Sequence, residues 1–234
     1  MRKLLTVFAV LVLLSGLVLA VYPFVKNAFY SRMAEKETEN FREKARETGA
    51  EETEDSVPYE ELLEAALQYN RELWENSLSG LTEKENYRES CLELADYGIG
   101  DGIFAVISIP SLELELPVFL GASAEHLSAG AAQLCGTGLP VGGINTNCVI
   151  AGHRSWQSGM YFHDIVDLEE GDEVYITNFW GTLCYEVTEL KTVGEYDSGC
   201  TEIRENRDLL TLLTCCYPSP GVKARYAVIC ERKY

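Results

Sequence analysis

The feature that most constrains the fold is a series of short strand-like segments, separated by glycine and proline, that fills the C-terminal half of the chain. The segments are rich in β-branched and aromatic residues, and LELELP at 112–117 alternates strictly between apolar and charged side chains. So many short strands within about 135 residues predict a mainly β domain, either a barrel or a sandwich. The segments are GIFAVISI, LELELPVF, NCVIAG, DEVYITNF, TLCYEVTEL, DLLTLLTC and ARYAVICE.

Helices are predicted both between these strands and before them. Within the strand-rich region, SAEHLSAGAAQL at 123–134 and MYFHDIVDLEEG at 160–171 fit short helices. Upstream, residues 26–76 are rich in charged side chains, and the apolar residues of YEELLEAALQYNRELWE recur near the helical period. This pattern predicts a solvated, partly helical stalk, followed by an amphipathic helix that packs on the next domain.

The N-terminus carries an apolar run that suits a membrane. Residues 4–25 contain no charged side chain, and Arg2 and Lys3 precede them. About 20 apolar residues are enough to cross the hydrocarbon core as a helix, so residues 1–25 are predicted to be a single-pass membrane anchor with the rest of the chain outside the cell. The alternative is a cleaved signal peptide ending at Val18-Leu19-Ala20. Either interpretation predicts export.

Domain organisation, charge and cysteine content set further limits. After the stalk, residues 77–101 are predicted to form a lid-like or connecting segment, and residues 102–234 the β domain. A formal net charge of −18 argues against nucleic-acid binding, which needs a basic face. The eight cysteines have no regular spacing, and no CxxC or histidine-rich pattern suggests a metal site. Whether any cysteines are paired stays open.

Three residues at strand ends are candidates for catalysis. His153 follows the apolar run CVIAG, Cys215 closes DLLTLLTC, and Arg225 begins the next predicted strand. A cysteine nucleophile needs a nearby base or cation, because the thiolate is the attacking species. Cys216 lies beside Cys215, but neighbouring side chains of a strand point to opposite faces, so the two thiols cannot share one environment. Spacing alone leaves open a capping histidine, a packed cysteine and a surface arginine.

Several motifs resemble those of sortases. TLLTC at 211–215 is similar to the family signature TLxTC, AGHR at 151–154 resembles its strand-end histidine motif, and Arg225 follows Cys215 by ten residues, as the family arginine does. ISIPSLELELPVFLGAS at 107–123 resembles the family's early strands. GTGLPVGGINTNCVIAGHR at 136–154 is most similar to class C, the pilin-type sortases.

This resemblance implies a fold, an activity and a role for each residue. The fold would be a closed eight-stranded β-barrel, and the activity that of a cysteine transpeptidase of the Gram-positive cell envelope. Cys215 would be the nucleophile, His153 the general acid and base, and Arg225 the group that holds the substrate backbone and the oxyanion. Cys216, through its backbone N–H, and Thr214 would contribute to the oxyanion and substrate-binding site. No metal or organic cofactor is implied.

The implied partners are surface proteins or pilins that carry a C-terminal sorting signal resembling LPxTG. The enzyme would cut this signal after threonine and pass the thioacyl group to an amine, either a pilin lysine or a peptidoglycan peptide. Three alternatives stay open: a housekeeping cell-wall anchoring sortase, a hydrolytic cysteine protease with the same triad, and a non-catalytic binding module. Residues 75–102 lack the Asp-Pro-aromatic lid anchor of the pilin class, which leaves Trp74 or residues 87–97 to cover the cleft.

Overall fold

A computed structural model describes residues 2–50, 57–76, 90–100, 102–154, 161–195 and 197–234 of the chain. Three α-helices and eight β-strands account for most of the regular structure in these ranges. Short 3₁₀ turns connect several of the strands. The helices are α1 (Arg2–Ala50), α2 (Val57–Glu75) and α3 (Ala124–Ala129), and the strands are β1 (Ile103–Ile109), β2 (Leu114–Leu120), β3 (Ala131–Gln133), β4 (Thr146–Ala151), β5 (Glu173–Asn178), β6 (Gly181–Gly194), β7 (Asp208–Ser219) and β8 (Val222–Arg232).

The strands close into a single barrel in the order β1-β2-β3-β4-β7-β8-β6-β5, with β5 pairing back to β1. Most neighbours are antiparallel, but β2 with β3 and β4 with β7 are parallel. Apolar side chains fill the interior, among them the fully buried Phe104, Ile107, Ile150 and Leu212. The expected closed eight-stranded barrel is therefore confirmed, and closure leaves no long unpaired edge.

One predicted helix was wrong in its second half. In the segment predicted as helical over 123–134, the helix α3 ends at Ala129, and Ala131–Gln133 forms the strand β3 between β2 and β4. Gly130 allows this change, because a Cβ at that position would lie 2.5 Å from the carbonyl oxygen of Pro117. The alanine-rich sequence favours a helix, but pairing on both sides makes Ala131–Gln133 a buried strand.

The hairpin that carries the candidate nucleophile is longer than predicted. The strand β7 does not end at Cys215 but continues to Ser219, and β8 begins at Val222. A two-residue turn joins them, in which Gly221 adopts a φ of 80°. The register shifts between Cys216 and Ser219, and this irregularity accommodates Pro218, which has no N–H to donate. Cys215 therefore lies inside the strand β7 of this hairpin, and not at the end of the strand as predicted.

Both N-terminal helices pack on the barrel with one face. In α2, the buried residues Leu62, Ala66, Asn70 and Leu73 lie on one side, so the predicted packing of this amphipathic helix is confirmed. The expectation of a solvated stalk was wrong for part of α1, whose Phe41 is buried against Phe179 with ring centroids 4.8 Å apart. Apolar contacts at a few positions of α1 are thus enough to pack it on the barrel, although most of its neighbouring residues are charged. Within the ranges described, none of the helices combines the length and the hydropathy that crossing a bilayer requires.

The proposed lid lies only partly within the structure. Residues 77–89 and 101, which belong to the predicted segment 77–101, are outside the described residues. Of the remainder, Leu94 and Ile99 are buried against the barrel. Trp74 does not cover the catalytic residues, because it lines a pocket with Ile144 and Thr146, at the start of β4. His153 lies seven residues further along the chain, about 23 Å at the rise of an extended strand.

Candidate active site

Three neighbouring strands bring the predicted catalytic residues into one row. In the parallel pair β4–β7, Ala151 lies opposite Leu213. The ladder continues beyond the end of β4, because the N–H of Gly152 donates to the carbonyl oxygen of Leu213 at 3.1 Å. His153 is the next residue after Gly152, and Cys215 lies two residues after Leu213 on the neighbouring strand β7. In the hairpin, Cys215 lies directly opposite Arg225. The order across the barrel wall is thus His153, Cys215, Arg225.

A direct side-chain contact joins two members of this row, Arg225 and Cys215. The guanidinium Nη1 donates a hydrogen bond to the Cys215 Sγ at 2.6 Å. Both side chains are half-buried, so the sulfur stays open to a substrate while the surrounding protein limits competition by water. A fixed positive charge beside a cysteine sulfur is the environment in which a thiolate acts as a nucleophile.

Thr214 fixes the end of β4 from the neighbouring strand. Its side chain is 2% exposed, and its hydroxyl donates to the carbonyl oxygen of Gly152 at 2.9 Å. This bond and the one from the Gly152 N–H to Leu213 hold Gly152 on both sides, and His153 is the next residue. The substrate-binding role expected for Thr214 stays a prediction. In the structure its hydroxyl connects β7 to the histidine loop.

Cys216 occupies the other face of β7. It is buried and lies opposite Ala224, whereas Cys215 lies in the row with Arg225. Burial raises the pKa of the Cys216 thiol, although the charges of Arg154 and Arg225 act in the opposite direction. A buried thiol with a raised pKa is a poor nucleophile. The separation of the two cysteines that alternation predicted is therefore present.

Among the described residues, Tyr161, which the sequence did not single out, contacts His153. The ring of Tyr161 meets the His153 ring edge-on, with centroids 6.2 Å apart, and its hydroxyl donates to the carbonyl oxygen of Ser128 at 2.8 Å. The His153 carbonyl in turn accepts from the N–H of Phe162 at 3.1 Å. His153 is exposed, yet partial desolvation lowers its pKa. Tyr161 adopts a φ of 50°, a left-handed backbone conformation that the sequence does not predict.

The other two histidines lie elsewhere. His126 stacks on Phe119 and its Nδ1 lies 2.7 Å from the carbonyl oxygen of Gly121, while His163 lies beside Asp164. Among the described residues, no group of three or more histidine, cysteine and acidic side chains is placed to hold a metal ion. The expectation that the enzyme needs no cofactor stays a prediction.

Comparison with known proteins identifies the family. The model of the sortase domain matches residues 107–233, which is more than half of the chain and includes the whole row. The chain belongs to the sortase family. Sortases are cysteine transpeptidases, so the chain is assigned as an enzyme of this class.

Individual sortases resemble the chain over most of its length. Sortase A of Listeria monocytogenes is 27% identical over 227 residues, which cover 94% of this chain and 88% of the relative. Among solved structures, sortase C2 from pilus island 1 of group B Streptococcus has 30% identity and a TM-score of 0.65, covering 76% of this chain and 98% of that one. Sortase C-1 of Streptococcus pneumoniae has 27% identity and a TM-score of 0.70, covering 85% and 98%.

Proposed function

We propose that this sortase cleaves a sorting signal resembling LPxTG and transfers the new carboxyl end to an amine. The observation that carries the proposal is the contact of the Arg225 guanidinium with the Cys215 sulfur, on the strand next to the one that leads into His153. Cys215 attacks the threonine carbonyl and forms a thioacyl enzyme. His153 takes the proton of the Cys215 thiol, gives it to the departing glycine amine, later accepts a proton from the incoming amine, and returns that proton to Cys215 as the thioester breaks.

Arg225 and Cys216 have supporting roles in this proposal. The Nη1 of Arg225 donates to the sulfur, so the guanidinium is within reach of an oxygen bonded to the carbon that the sulfur attacks. The backbone N–H that follows the nucleophile, that of Cys216, is the second donor to this oxygen. The pairing of Cys215 with Arg225 across the hairpin keeps the attacking sulfur and the guanidinium that would stabilise the oxyanion close together. This arrangement favours catalysis over simple binding, because a binding module has no use for a charged group on a thiol.

We propose a pilin lysine as the acceptor amine and pilins as the proteins that carry the signal. The two solved structures described above are named as sortases C, and one of them is named for a pilus island. The Listeria relative is named sortase A, so a cell-wall peptide is the competing acceptor. The acceptor that gives the higher kcat/KM distinguishes the two.

The activity is tested with a fluorogenic LPxTG-type peptide and two amine donors, a peptide with a free lysine side chain and an oligopeptide of the cell-wall type. We expect cleavage with transfer to the amine, and a thioacyl adduct on Cys215 by mass spectrometry. Cys215→Ala should abolish both, whereas Cys216→Ala, the matched control on the same strand, should keep most of the activity. Cleavage with no transfer would instead support a protease, and binding without cleavage a non-catalytic module.

We further propose that residues 1–25 anchor the enzyme in the cell membrane, with the barrel outside. The uncharged run at residues 4–25 after Arg2 and Lys3 supports this placement. After expression in a Gram-positive host, the full chain should stay with the membrane fraction in alkaline carbonate, whereas a variant lacking residues 2–25 should be released. Loss of the segment from the mature protein, seen as an N-terminus after Ala20, would support a signal peptide instead.

A further inference from the structure

Two cysteines far apart in sequence meet at the surface of the barrel, away from the catalytic row. Cys91 lies in the segment between α2 and β1, and Cys135 lies in the loop between β3 and β4. Their side chains lie close enough to interact: the Cys91 sulfur contacts Gln133, two residues before Cys135, and neither cysteine forms a disulfide in the structure. A disulfide requires Cβ atoms about 4 Å apart, so two cysteines in one cluster of contacting side chains are candidates for such a bond.

The surrounding residues hold this pair in place. The hydroxyl oxygen of Tyr69 lies 4.0 Å from the Cys135 Sγ and accepts the N–H of Gly136 at 2.9 Å. On the other side, the Cys91 Sγ donates to the Gln133 Oε1 at 3.6 Å. Gln133 is fully buried, and its amide donates to the carbonyl oxygens of Leu134 and Thr137. Helix α2, strand β3 and the segment before β1 thus converge on the two sulfur atoms.

The pair differs from the cysteines of the barrel core. Cys148 and Cys230 are completely enclosed and fill space as small apolar side chains. Cys91 and Cys135 are only half-buried, so a small redox reagent has access to them. The hydrogen bond with Cys135 and burial raise the pKa of the Cys91 thiol, which slows exchange once the protein has folded. Oxidation is therefore expected to be faster during folding than in the folded protein.

We propose that Cys91 and Cys135 form a structural disulfide in the exported protein, an inference that rests on the proposed extracellular location. The oxidant is a disulfide-bearing oxidoreductase or a small-molecule disulfide. Two S–H bonds break and one S–S bond forms, and the two protons and two electrons pass to the oxidant, whose disulfide is reduced to two thiols. The bond ties the segment before β1 to the loop after β3.

The test uses the full chain in detergent, refolded with a mixture of oxidised and reduced glutathione. Remaining thiols are blocked with N-ethylmaleimide, and the protein is digested without reductant. Mass spectrometry should show the peptides of Cys91 and Cys135 linked, two hydrogens lighter than their sum, and separated by dithiothreitol. Recovery of both residues as blocked thiols, or linkage of either to another cysteine, would overturn the proposal.

Variants separate this bond from the catalytic function. Cys215→Ala should carry the same link, so a failure of the proposed transpeptidation leaves this test intact. Dithiothreitol should lower the melting temperature of the wild type and of the control Cys184→Ser, but not that of Cys91→Ser or Cys135→Ser. An equal effect of dithiothreitol on all four proteins would also contradict a Cys91–Cys135 bond. The peptide analysis needs no variant, so a folding defect in Cys91→Ser does not affect it.

Discussion

At the scale of single residues, the adjacent cysteines show how a strand separates two identical side chains. Cys215 contacts Arg225 at the surface of the barrel, while Cys216 is buried behind it. Because their Cβ atoms point to opposite faces, a disulfide between them would require the backbone to move. The alternation of side chains along β7 thus separates the proposed nucleophile from its neighbour.

The pH dependence of the reaction belongs to His153. Partial desolvation lowers its pKa from the ordinary value, which favours the neutral ring. An imidazole that is already protonated in the free enzyme cannot accept the thiol proton of Cys215. Activity should therefore fall as the pH drops through the pKa of His153. We expect the acid limb of kcat/KM against pH to have its midpoint below about 6.5. A midpoint above that value would contradict the assigned surroundings of His153.

The three catalytic candidates could be predicted from sequence because each lies beside an apolar strand that is itself easy to recognise. Tyr161 could not be predicted in the same way. Its contact with His153 depends on a left-handed backbone conformation and on a bond to Ser128, which lies distant in sequence. Neither feature leaves a local pattern in the residues around it.

At the scale of elements, the position of His153 depends on the way β4 ends. Gly152 lies between the carbonyl oxygen of Leu213 and the hydroxyl of Thr214, which hold it from β7. A Cβ at this position would lie 2.6 Å from the Cγ of Phe162, a fully buried ring that has no room to move. The sequence predicted the strand and the histidine, but only the fold shows why a glycine stands between them.

Gly152→Ala should therefore displace His153 without removing any catalytic group. Misplacement of a catalytic residue by about 1 Å lowers kcat/KM by about 10²-fold. Steady-state kinetics with the LPxTG-type peptide measures the effect, and circular dichroism checks that the barrel still forms. Gly100→Ala is the matched control, because a Cβ there meets nothing within 4 Å. Equal kinetics for the two variants would show that Gly152 does not position the histidine.

The short strand β3 could not be predicted from its local sequence. Ala131–Gln133 is too short for alternation to be visible, and alanine favours helices in isolation. Its strand conformation comes from pairing with β2 on one side and β4 on the other, and neither partner lies within the local sequence. Pairing with neighbouring strands thus outweighs the local preference of the sequence for a helix.

At the scale of the whole molecule, α2 is part of the folded domain. Asn70 is 4% exposed, and its side chain pairs with both backbone groups of Leu139, accepting from the N–H at 2.7 Å and donating to the carbonyl oxygen at 3.3 Å. The apolar stripe of α2 could be predicted from its period. The packing of α1 could not, because its buried positions are few among many charged residues.

Asn70→Ala should destabilise the entire protein, not only the helix. The substitution leaves the buried N–H and C=O of Leu139 without partners, at a cost of about 2 kcal/mol in the free energy of unfolding. Chemical denaturation followed by tryptophan fluorescence measures this loss. Gln68→Ala, an exposed substitution on the same helix, should change the free energy by less than about 0.5 kcal/mol. Similar values for the two variants would mean that α2 does not belong to the cooperative unit.

The three proposed catalytic residues, which lie just after β4 and on β7 and β8, belong to two separate parts of the chain. His153 belongs to the part that ends with β6, whereas Cys215 and Arg225 both belong to the hairpin that follows. A protein engineer who cut the chain between β6 and β7 would obtain two fragments, each with an incomplete site. Catalysis would return only when both fragments fold together, so the same architecture that builds the enzyme would serve as a reporter of proximity between two fused proteins.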